Sequence, residues 1–386
     1  MDKNKKREAV IVAYGRSACC RAKKGGLANT HPVEYSAQVL RGVLNRVPQL
    51  EDDQIDDVVM GCAIPEKQMG FNIARQVARR AGLPKNVPGQ TINRFCSSGL
   101  QAIATGANAI LAGQMDCVIA GGTEDMSHCY APLHPVEYQD AELSEEDPGT
   151  YMGMGETAER VADVYNITRE QMDAMAVESH QKAAKAQKEG KLAPSIIPVV
   201  NAEGVTLTED EGIRPNSNME KLATLKPAFR PDGRVTAGNS SQLTDACAFV
   251  IVMASDKAEK LGITPLARFV GFTVIGCEAS LMGLGPIYAV PKIMKKTGLT
   301  LSDMDVIELN EAFAAQEIAC IQELQLPKEK LNPYGGAMAL GHPMGATGAI
   351  LTGKALDYLQ DTKGRYALIT MCIGGGMGGA GIFEKI

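Results

Sequence analysis

The sequence contains no tryptophan, and aromatic residues make up only 5% of its 386 positions. Because it also contains 40 glycines, we predict a core of small and β-branched side chains crossed by many tight turns. Low-complexity tracts are absent, and a content of 45% hydrophobic and 22% charged residues is typical of a folded enzyme. The length exceeds that of a usual single core, so we expect two domains, or a duplicated domain with an insertion.

An excess of positive charge is also missing. The formal net charge is −6, which predicts no nucleic-acid partner and requires any anionic ligand to meet a local basic patch. The ten cysteines form no C-x2-C pair and have no histidine at zinc-finger spacing, so we expect no metal site and reduced thiols in a cytoplasm. No apolar run is long enough to cross a bilayer, so no membrane partner is predicted either.

The order of the predicted elements divides the chain into three parts. Strands and helices alternate over residues 8–125, which predicts an α/β fold with a mostly parallel sheet. Residues 126–234 differ, because they hold an acidic segment, a polar helix over 168–190 and proline-rich loops. We interpret them as an insertion that lies over the core as a lid or specificity element. A second α/β run extends to the end of the chain.

Cys96 lies where an extended segment, residues 91–95, gives way to a helix that Ser97 and Ser98 can cap. The N-terminus of a helix favours a thiolate, the form of cysteine that acts as a nucleophile. The alternative is an inert packing cysteine, which is the more common role. Small residues fill the following helix, which predicts that another backbone packs closely against it.

The segment GHPMGATGAILTGKALDYL and the strand RYALITMC repeat this layout near the end of the chain. His342 takes the place that Cys96 has in the first unit, and two facing copies of one fold would bring the two helix starts together. A histidine beside Cys96 could take its proton. The alternative is a histidine that makes a structural hydrogen bond.

Two further positions could carry chemistry. Cys372 ends an apolar strand before a run of glycines, which would let the Gly374 N–H approach an oxyanion. A buried strand cysteine is the alternative reading. Asn310 is predicted to start a helix, where it either caps that helix or faces a cleft and holds a water or an oxyanion.

Eight segments of the sequence, in this order and at plausible spacing, resemble the thiolase family. They are NRFCSSGLQAI, AGGTEDMS, MGETAE, LKPAF, TAGNSSQLTD, NEAFAAQ, NPYGGAMALGHPMGATGA and CIGGGMGGA. The resemblance covers essentially the whole chain and implies two similar αβα halves that form a five-layered αβαβα core. It places the first half at 1–125 and 235–262, an inserted loop domain for CoA binding and oligomerisation at 126–234, and the second half at 263–386. A homodimer or homotetramer is implied as well.

The resemblance also implies roles for single residues. Cys96 matches the nucleophile that takes the acyl group, His342 its activating base, and Cys372 the acid/base that serves the leaving carbanion or thiolate. One oxyanion hole matches His342 with a water held by Asn310, and the other matches the N–H groups of Cys96 and Gly374. The positions that match CoA contacts are Met154, Arg214, Ser240, Ser241 and Phe313. For Arg214, an ordinary solvated surface charge remains the alternative.

Some positions depart from the family pattern. Asp125 stands where the family usually has serine, although Glu124 matches, so we expect changed local hydrogen bonding and retained activity. Gly153 precedes Met154 where biosynthetic members often have histidine, and DACA replaces the usual DGAA. Together with NRFCSSGLQ and NSSQLTD, these features favour the degradative branch of fatty acid β-oxidation.

The resemblance therefore implies thiolytic cleavage of 3-ketoacyl-CoA by CoA, through a covalent acyl-Cys96 and with no cofactor besides CoA as substrate. Three alternatives stay open at this point. The first is an acetoacetyl-CoA thiolase that works towards synthesis. The second is a ketoacyl synthase, which Cys372 disfavours because such enzymes present histidine or asparagine there. The third is a non-catalytic acyl-CoA or lipid-binding relative, which the presence of both Cys96 and His342 disfavours.

Overall fold

A computed structural model describes residues 7–129 and 138–386 of the chain. The basic start of the sequence, 1–6, and residues 130–137 of the predicted insertion lie outside the described residues. The strands are β1 Ala9–Arg16, β2 Cys20–Arg21, β3 Asp57–Gly61, β4 Gln90–Ile92, β5 Cys117–Glu124, β6 Val199–Val200, β7 Thr206–Leu207, β8 Thr244–Ala254, β9 Ala267–Gly276, β10 Val306–Leu309, β11 Tyr366–Ile373 and β12 Met377–Lys385.

The helices lie between these strands and in the insertion. They are α1 Pro32–Leu44, α2 Ile73–Arg80, α3 Ser98–Leu111, α4 Ala141–Glu146, α5 Met154–Val164, α6 Arg169–Lys188, α7 Met219–Ala223, α8 Ser255–Leu261, α9 Gly285–Thr297, α10 Ala314–Leu324, α11 Ala337–Leu340 and α12 Met344–Thr362. The polar helix predicted over 168–190 is α6. No helix in the described parts of the chain is both long and apolar enough to cross a membrane.

The main sheet follows the order β10-β11-β12-β9-β1-β8-β5-β3-β4, with β2 paired to β8. Its two halves meet where β1 pairs with β9, at Val10–Arg268 and Ile11–Ala267. Over residues 8–125 the prediction of a mostly parallel arrangement is confirmed, since β3 pairs in parallel with β4 and β5, and β1 and β5 both run antiparallel to β8. The sheet as a whole is mixed, because its described pairs also include antiparallel ones. In the second half, for example, a short glycine turn joins β11 and β12 as antiparallel neighbours.

Five layers of secondary structure form the core. Helices α1 and α2 cover the outer face of the first half's strands. The helices α3 and α12 lie together between the two halves of the sheet, and α9 covers the outer face of the second half. Side chains alternate along β8, since Phe249 and Ile251 face the outer helices while Val250 and Val252 face the central pair. The expected α/β fold with five layers is confirmed.

The two central helices approach each other backbone to backbone. A Cβ atom placed on Gly99 of α3 would lie 2.8 Å from Gly345 O and 3.0 Å from Ala349 N of α12. A Cβ atom on Gly348 of α12 would lie 2.2 Å from Leu100 N of α3. The close backbone contact predicted from the small residues after Cys96 is therefore confirmed, and it brings the N-terminal ends of both helices to one place.

A buried ion pair connects the insertion to the core. Arg16 at the end of β1 donates two hydrogen bonds to Asp210, with distances of 2.6 Å from Nη1 to Oδ1 and 2.8 Å from Nη2 to Oδ2. The backbone N–H of Cys19 donates to the same carboxylate at 2.8 Å. Both charged side chains are buried, so each neutralises the charge of the other away from water.

We expect Asp210→Ala to lower the free energy of unfolding by about 3–5 kcal/mol, because it leaves the Arg16 guanidinium buried without its partner. Urea unfolding followed by circular dichroism measures this loss. The control is Asp232→Ala, which removes an exposed carboxylate 3.5 Å from Arg230, and for which we expect a loss of about 1 kcal/mol or less. Equal losses in both variants would contradict the importance of the buried pair.

Candidate active site

Cys96 lies in a single 3₁₀ turn, Phe95–Ser97, that leads directly into α3. The preceding strand is shorter than predicted, since β4 ends at Ile92, and Phe95 has a positive φ of 41°. This is the left-handed region that non-glycine residues seldom adopt, and such strain is common beside reactive groups.

The predicted serine caps of α3 are not formed. Ser98 Oγ instead donates to Phe95 O at 2.7 Å and accepts from Arg94 N at 2.8 Å. The Ser97 hydroxyl is buried without a hydrogen-bond partner among the described residues. Because the side chain of Ser98 closes the turn before the helix, neither serine reaches the free N–H groups of α3.

Burial dominates the state of the Cys96 thiol. The side chain is buried, and this raises its pKa to about 11. The N–H groups of Gly374 and of Cys96 itself lower the pKa, while the Glu124 carboxylate raises it. Backbone N–H groups near the helix start thus act in favour of a thiolate, as expected, but burial outweighs them in the free chain, so a base must remove the proton as the sulfur attacks.

His342 lies in the loop just before α12. Burial lowers its pKa to about 4, so the ring is neutral near pH 7. Its Nδ1 lies 2.7 Å from Thr347 Oγ1, and its Nε2 lies 3.4 Å from Asn310 Nδ2. Helix α12 packs against the 3₁₀ turn of Cys96, although no hydrogen bond between His342 and Cys96 is present in the described part of the chain. The loop is thus placed beside the thiol, with an unprotonated nitrogen available.

Asn310 follows β10 and does not start a helix, because α10 begins at Ala314 with Phe313 as its N-cap. The predicted helix start at Asn310 is wrong, since the chain first makes the turn that carries Glu311 and Ala312. The Asn310 N–H donates to Thr370 O of β11 at 3.0 Å. Its side-chain Oδ1 is buried and has no hydrogen-bond partner among the described residues, so this oxygen can accept from a water or a substrate.

Cys372 is the last residue but one of β11 and is completely buried. Burial raises its pKa well above that of a free thiol, and the neighbouring thiols of Cys96, Cys320 and Cys277 raise it further. Gly374 lies in the turn that follows, where a Cβ atom would be 3.7 Å from the Phe95 ring, and β11 packs against the 3₁₀ turn that holds Cys96. Cys96, Cys372 and Gly374 therefore meet at one centre, although they come from different halves of the chain.

Comparison with known protein families agrees with this geometry. Residues 9–256 match the thiolase N-terminal domain, and residues 263–385 match the thiolase C-terminal domain. The chain belongs to the thiolase family.

Individual thiolases are similar over the full length. The chain is 46% identical to the 3-ketoacyl-CoA thiolase of Bacillus subtilis (strain 168), over 98% of this chain and 99% of the relative. It is 42% identical to the 3-ketoacyl-CoA thiolase of Saccharophagus degradans (strain 2-40), with the same coverage. The crystal structure of Bacillus anthracis acetyl-CoA acetyltransferase superimposes with a TM-score of 0.92 at 39% identity, covering 100% of both chains. The crystal structure of the dimeric peroxisomal thiolase of Saccharomyces cerevisiae superimposes with a TM-score of 0.94 at 36% identity, covering 100% of this chain and 99% of that one.

Four of the five CoA-binding positions predicted for this thiolase surround the same centre. Met154 and Phe313 share an apolar cluster with Cys372, and a Cβ atom on Gly374 would lie 3.5 Å from Met154 Sδ. Ser240 and Ser241 lie beside them, since the Ser241 N–H donates to Ala312 O at 2.9 Å and the backbone of Ser240 bridges to that of Phe313.

Arg214 is the fifth predicted position, and it is exposed. Its backbone N–H donates to His180 Nδ1 at 3.1 Å. Its guanidinium forms no ion pair with a carboxylate in the part of the thiolase that the structure describes, so the charge is available to an anion. This arrangement fits a phosphate contact as well as a solvated surface charge.

Sequence reasoning gave no role to the side chain of Glu124, which the structure places beside the site. It accepts hydrogen bonds from Ala63 N at 2.9 Å, Ile64 N at 3.1 Å and Gly345 N at 2.7 Å. Burial raises its pKa to about 7 despite these donors. Since Gly345 lies in the first turn of α12, a carboxylate from one half of the thiolase satisfies a free helix N–H of the other half. The sequence could not predict this contact, because it depends on the packing of β5 beside the start of α12.

The neighbouring Asp125, which departs from the family pattern, hydrogen-bonds within its own turn. It accepts from His128 N at 3.0 Å, and its carboxylate lies 3.1 Å from His128 Nδ1. In the described parts of the chain, none of its hydrogen bonds reaches Cys96, His342 or Cys372. We found no group of three or more histidine, cysteine or acidic side chains arranged to hold a metal in those same parts.

Proposed function

We propose that this thiolase cleaves 3-ketoacyl-CoA with free CoA and releases acetyl-CoA and a shortened acyl-CoA. The observation that carries the proposal is the packing of β11, which holds the buried Cys372 and leads to Gly374, against the turn that holds the buried Cys96. Cleavage of a carbon–carbon bond by thiolysis needs one sulfur to take the acyl group and a second group to move a proton. The similarity to relatives named 3-ketoacyl-CoA thiolase supports the same reaction.

In the first half-reaction, His342 takes the proton of Cys96, and the sulfur attacks the 3-keto carbon of the substrate. The bond between the second and third carbon atoms breaks, and its electron pair goes to the acetyl-CoA fragment as an enolate. Cys372 donates its proton to that fragment, so acetyl-CoA leaves and the shortened acyl group stays on Cys96. The enzyme then carries a thiolate at Cys372 and a proton on His342.

In the second half-reaction, CoA binds as the second substrate and gives its thiol proton to the Cys372 thiolate. The CoA sulfur attacks the acyl-Cys96 carbonyl, and the Cys96 sulfur leaves with the proton that His342 returns. All protons are back at their starting positions, which is the balance of a ping-pong reaction. No metal or redox cofactor takes part in this scheme.

Two oxyanion holes serve the two half-reactions in this proposal. The N–H groups of Cys96 and Gly374 stabilise the tetrahedral intermediates formed on Cys96, in line with the effect of both groups, which lower the pKa of its thiol. His342 and a water bound to Asn310 stabilise the enolate oxygen. The buried, unpartnered Oδ1 of Asn310 supports this assignment, because it leaves an acceptor for such a water.

The second candidate is the same chemistry in the opposite direction, the condensation of two acetyl-CoA molecules to acetoacetyl-CoA. It is favoured by the structural similarity to an acetyl-CoA acetyltransferase at 39% identity. The two activities share every residue named above and differ in the length of acyl chain that the site accepts. Met154, Arg214, Ser240, Ser241 and Phe313 would bind CoA in either case.

Steady-state thiolysis of 3-ketoacyl-CoA substrates of increasing chain length tests the proposal. We expect kcat/KM to stay high beyond the four-carbon substrate. Activity confined to acetoacetyl-CoA would favour the condensing candidate. A complete lack of activity with every chain length, together with no acylation of Cys96, would instead point to a non-catalytic binding protein.

We also propose that the protein is a homodimer or homotetramer that works in cytoplasmic fatty acid β-oxidation. Phe71 is 99% exposed, and β4 is an edge strand with an unpaired side, which together suit a contact with a second copy. All ten cysteines are free thiols, as expected in a reducing compartment. A single-chain mass by light scattering would contradict the oligomer, and cell fractionation tests the location.

A further inference from the structure

The hydroxyl group of Thr347 lies within hydrogen-bond distance of two atoms, one of which can only accept a hydrogen bond. Its Oγ1 lies 3.0 Å from Pro343 O and 2.7 Å from His342 Nδ1. A hydroxyl has a single proton to donate, and Thr347 Oγ1 donates it to Pro343 O, which also accepts from the Ala346 N–H at 2.8 Å. Thr347 Oγ1 must then accept from the ring, which requires the ring proton to be on Nδ1.

We propose that Thr347 is a positioning residue that holds His342 in the tautomer with a proton on Nδ1 and a free lone pair on Nε2. The inference deepens the proposed function, on which it rests, because it defines how the base starts each turnover. The surroundings of Nε2 agree with it. The Asn310 amide nitrogen, a donor, lies 3.4 Å from that nitrogen, so the lone pair faces a group that can donate to it.

The contact is well protected from water. His342 is 7% exposed, Thr347 2% and Asn310 1%, so no bulk solvent competes for the Nδ1 proton. The Thr347 backbone N–H also donates to Pro343 O, at 2.9 Å. Both the backbone and the hydroxyl of Thr347 are therefore bound to one carbonyl, which fixes the direction from which Oγ1 meets the ring.

This tautomer gives one imidazole two roles in a fixed order. Before acylation, Nε2 has a lone pair and takes the proton from the Cys96 thiol, while the sulfur electron pair forms the bond to the acyl carbon. The ring then carries protons on both nitrogens, and its new Nε2–H can donate to an oxyanion. When CoA displaces the acyl group, the Nε2 proton returns to the Cys96 sulfur. A ring that began with its proton on Nε2 could not perform the first step.

The tautomer can be measured directly in the wild-type protein. Nitrogen NMR of protein labelled with ¹⁵N-histidine distinguishes a protonated ring nitrogen from an unprotonated one, and the spectrum of His342→Asn identifies the His342 signals among the five histidines. We expect a protonated Nδ1 and an unprotonated Nε2. The opposite pattern would overturn the proposal, whatever the activity of the enzyme.

Two variants of Thr347 separate the hydrogen bond from packing. Thr347→Val keeps the shape of the side chain but removes the acceptor, so we expect the rate of Cys96 acylation by acetyl-CoA to fall by about 10²-fold. The loss should appear in kcat, with KM nearly unchanged, because the side chain does not touch CoA. Thr347→Ser keeps the hydroxyl and should recover most of the rate and the wild-type nitrogen spectrum.

A Thr347→Val enzyme that acylates at the wild-type rate would refute the positioning role. Equal losses in Thr347→Ser and Thr347→Val would also refute it, because Thr347→Ser keeps the hydroxyl and would then lose the rate for a reason other than the hydrogen bond. Acylation is followed by mass spectrometry of the Cys96 peptide. A wild-type protein that never acylates would disprove the proposed function while leaving the NMR result to decide the tautomer, so the two failures can be distinguished.

Discussion

Replacing Cys96 by serine is expected to abolish the acyl-enzyme. Wild-type protein incubated with radioactive acetyl-CoA should retain label on Cys96, and Cys96→Ser should retain none. The serine hydroxyl is a far weaker nucleophile than a thiol, and the single base His342 cannot make up the difference at neutral pH. Thiolysis should therefore fall by about 10⁴-fold or more.

Cys117→Ser provides the matched control for this variant. Cys117 is also fully buried, but it lies at the start of β5, at the opposite end of that strand from Glu124. We expect it to label normally and to keep its thiolysis activity. Persistent labelling of Cys96→Ser would refute Cys96 as the nucleophile, and equal loss in the control would assign the effect to damaged folding.

Replacing Cys372 by serine should separate the two half-reactions. Carbon–carbon bond cleavage and formation require proton transfer to or from a carbanion, which is a strong base, so we expect both to fall by about 10³-fold. Acylation of Cys96 by acetyl-CoA releases a CoA thiolate, which is a much weaker base and can leave without a proton. That step should largely survive, and label from acetyl-CoA should still reach Cys96.

Cys320→Ser is the control, because this thiol is buried near Cys372 and donates to Gly283 O at 3.6 Å. A serine there can keep the hydrogen bond, and we expect both half-reactions to continue. Stopped-flow measurement of acylation and steady-state measurement of thiolysis provide the two rates. If Cys372→Ser lost both rates equally, Cys372 would have no separate acid/base role.

The sequence was informative about the fold wherever the pattern was local. Small residues after Cys96 predicted a close helix contact, and the structure has it between α3 and α12. The antiparallel strands that separate the parallel ones were not predicted, because the neighbours of β1 are β8 and β9, which come from more than 200 residues later in the chain. Pairing over such distances depends on how the halves pack, and no local pattern carries that information.

In the active site, too, the features set by local sequence were predicted and those set by long-range packing were not. Cys96, His342 and Cys372 each lie close to the start or end of a helix or strand, and the sequence pattern predicts such boundaries. The pKa of Cys96 could not be read, since burial raises it to about 11 against the effect of the helix N-terminus. The sequence also predicted wrongly that Asn310 starts a helix, because a turn separates β10 from α10. The contacts of Glu124 and Thr347 join atoms that only the folded chain brings together.

The glycine contact between α3 and α12 has a consequence for how the enzyme can vary. Since Gly99 touches Gly345 through backbone atoms, the spacing between the turn of Cys96 and the loop of His342 is set without any side chain between them. A methyl group added at Gly99 or Gly345 would push the two helices apart and move the nucleophile away from its base, although it would alter no group that takes part in the reaction. Substitutions at these buried glycines could thus inactivate the enzyme as completely as the loss of a thiol, while every reactive group remained present.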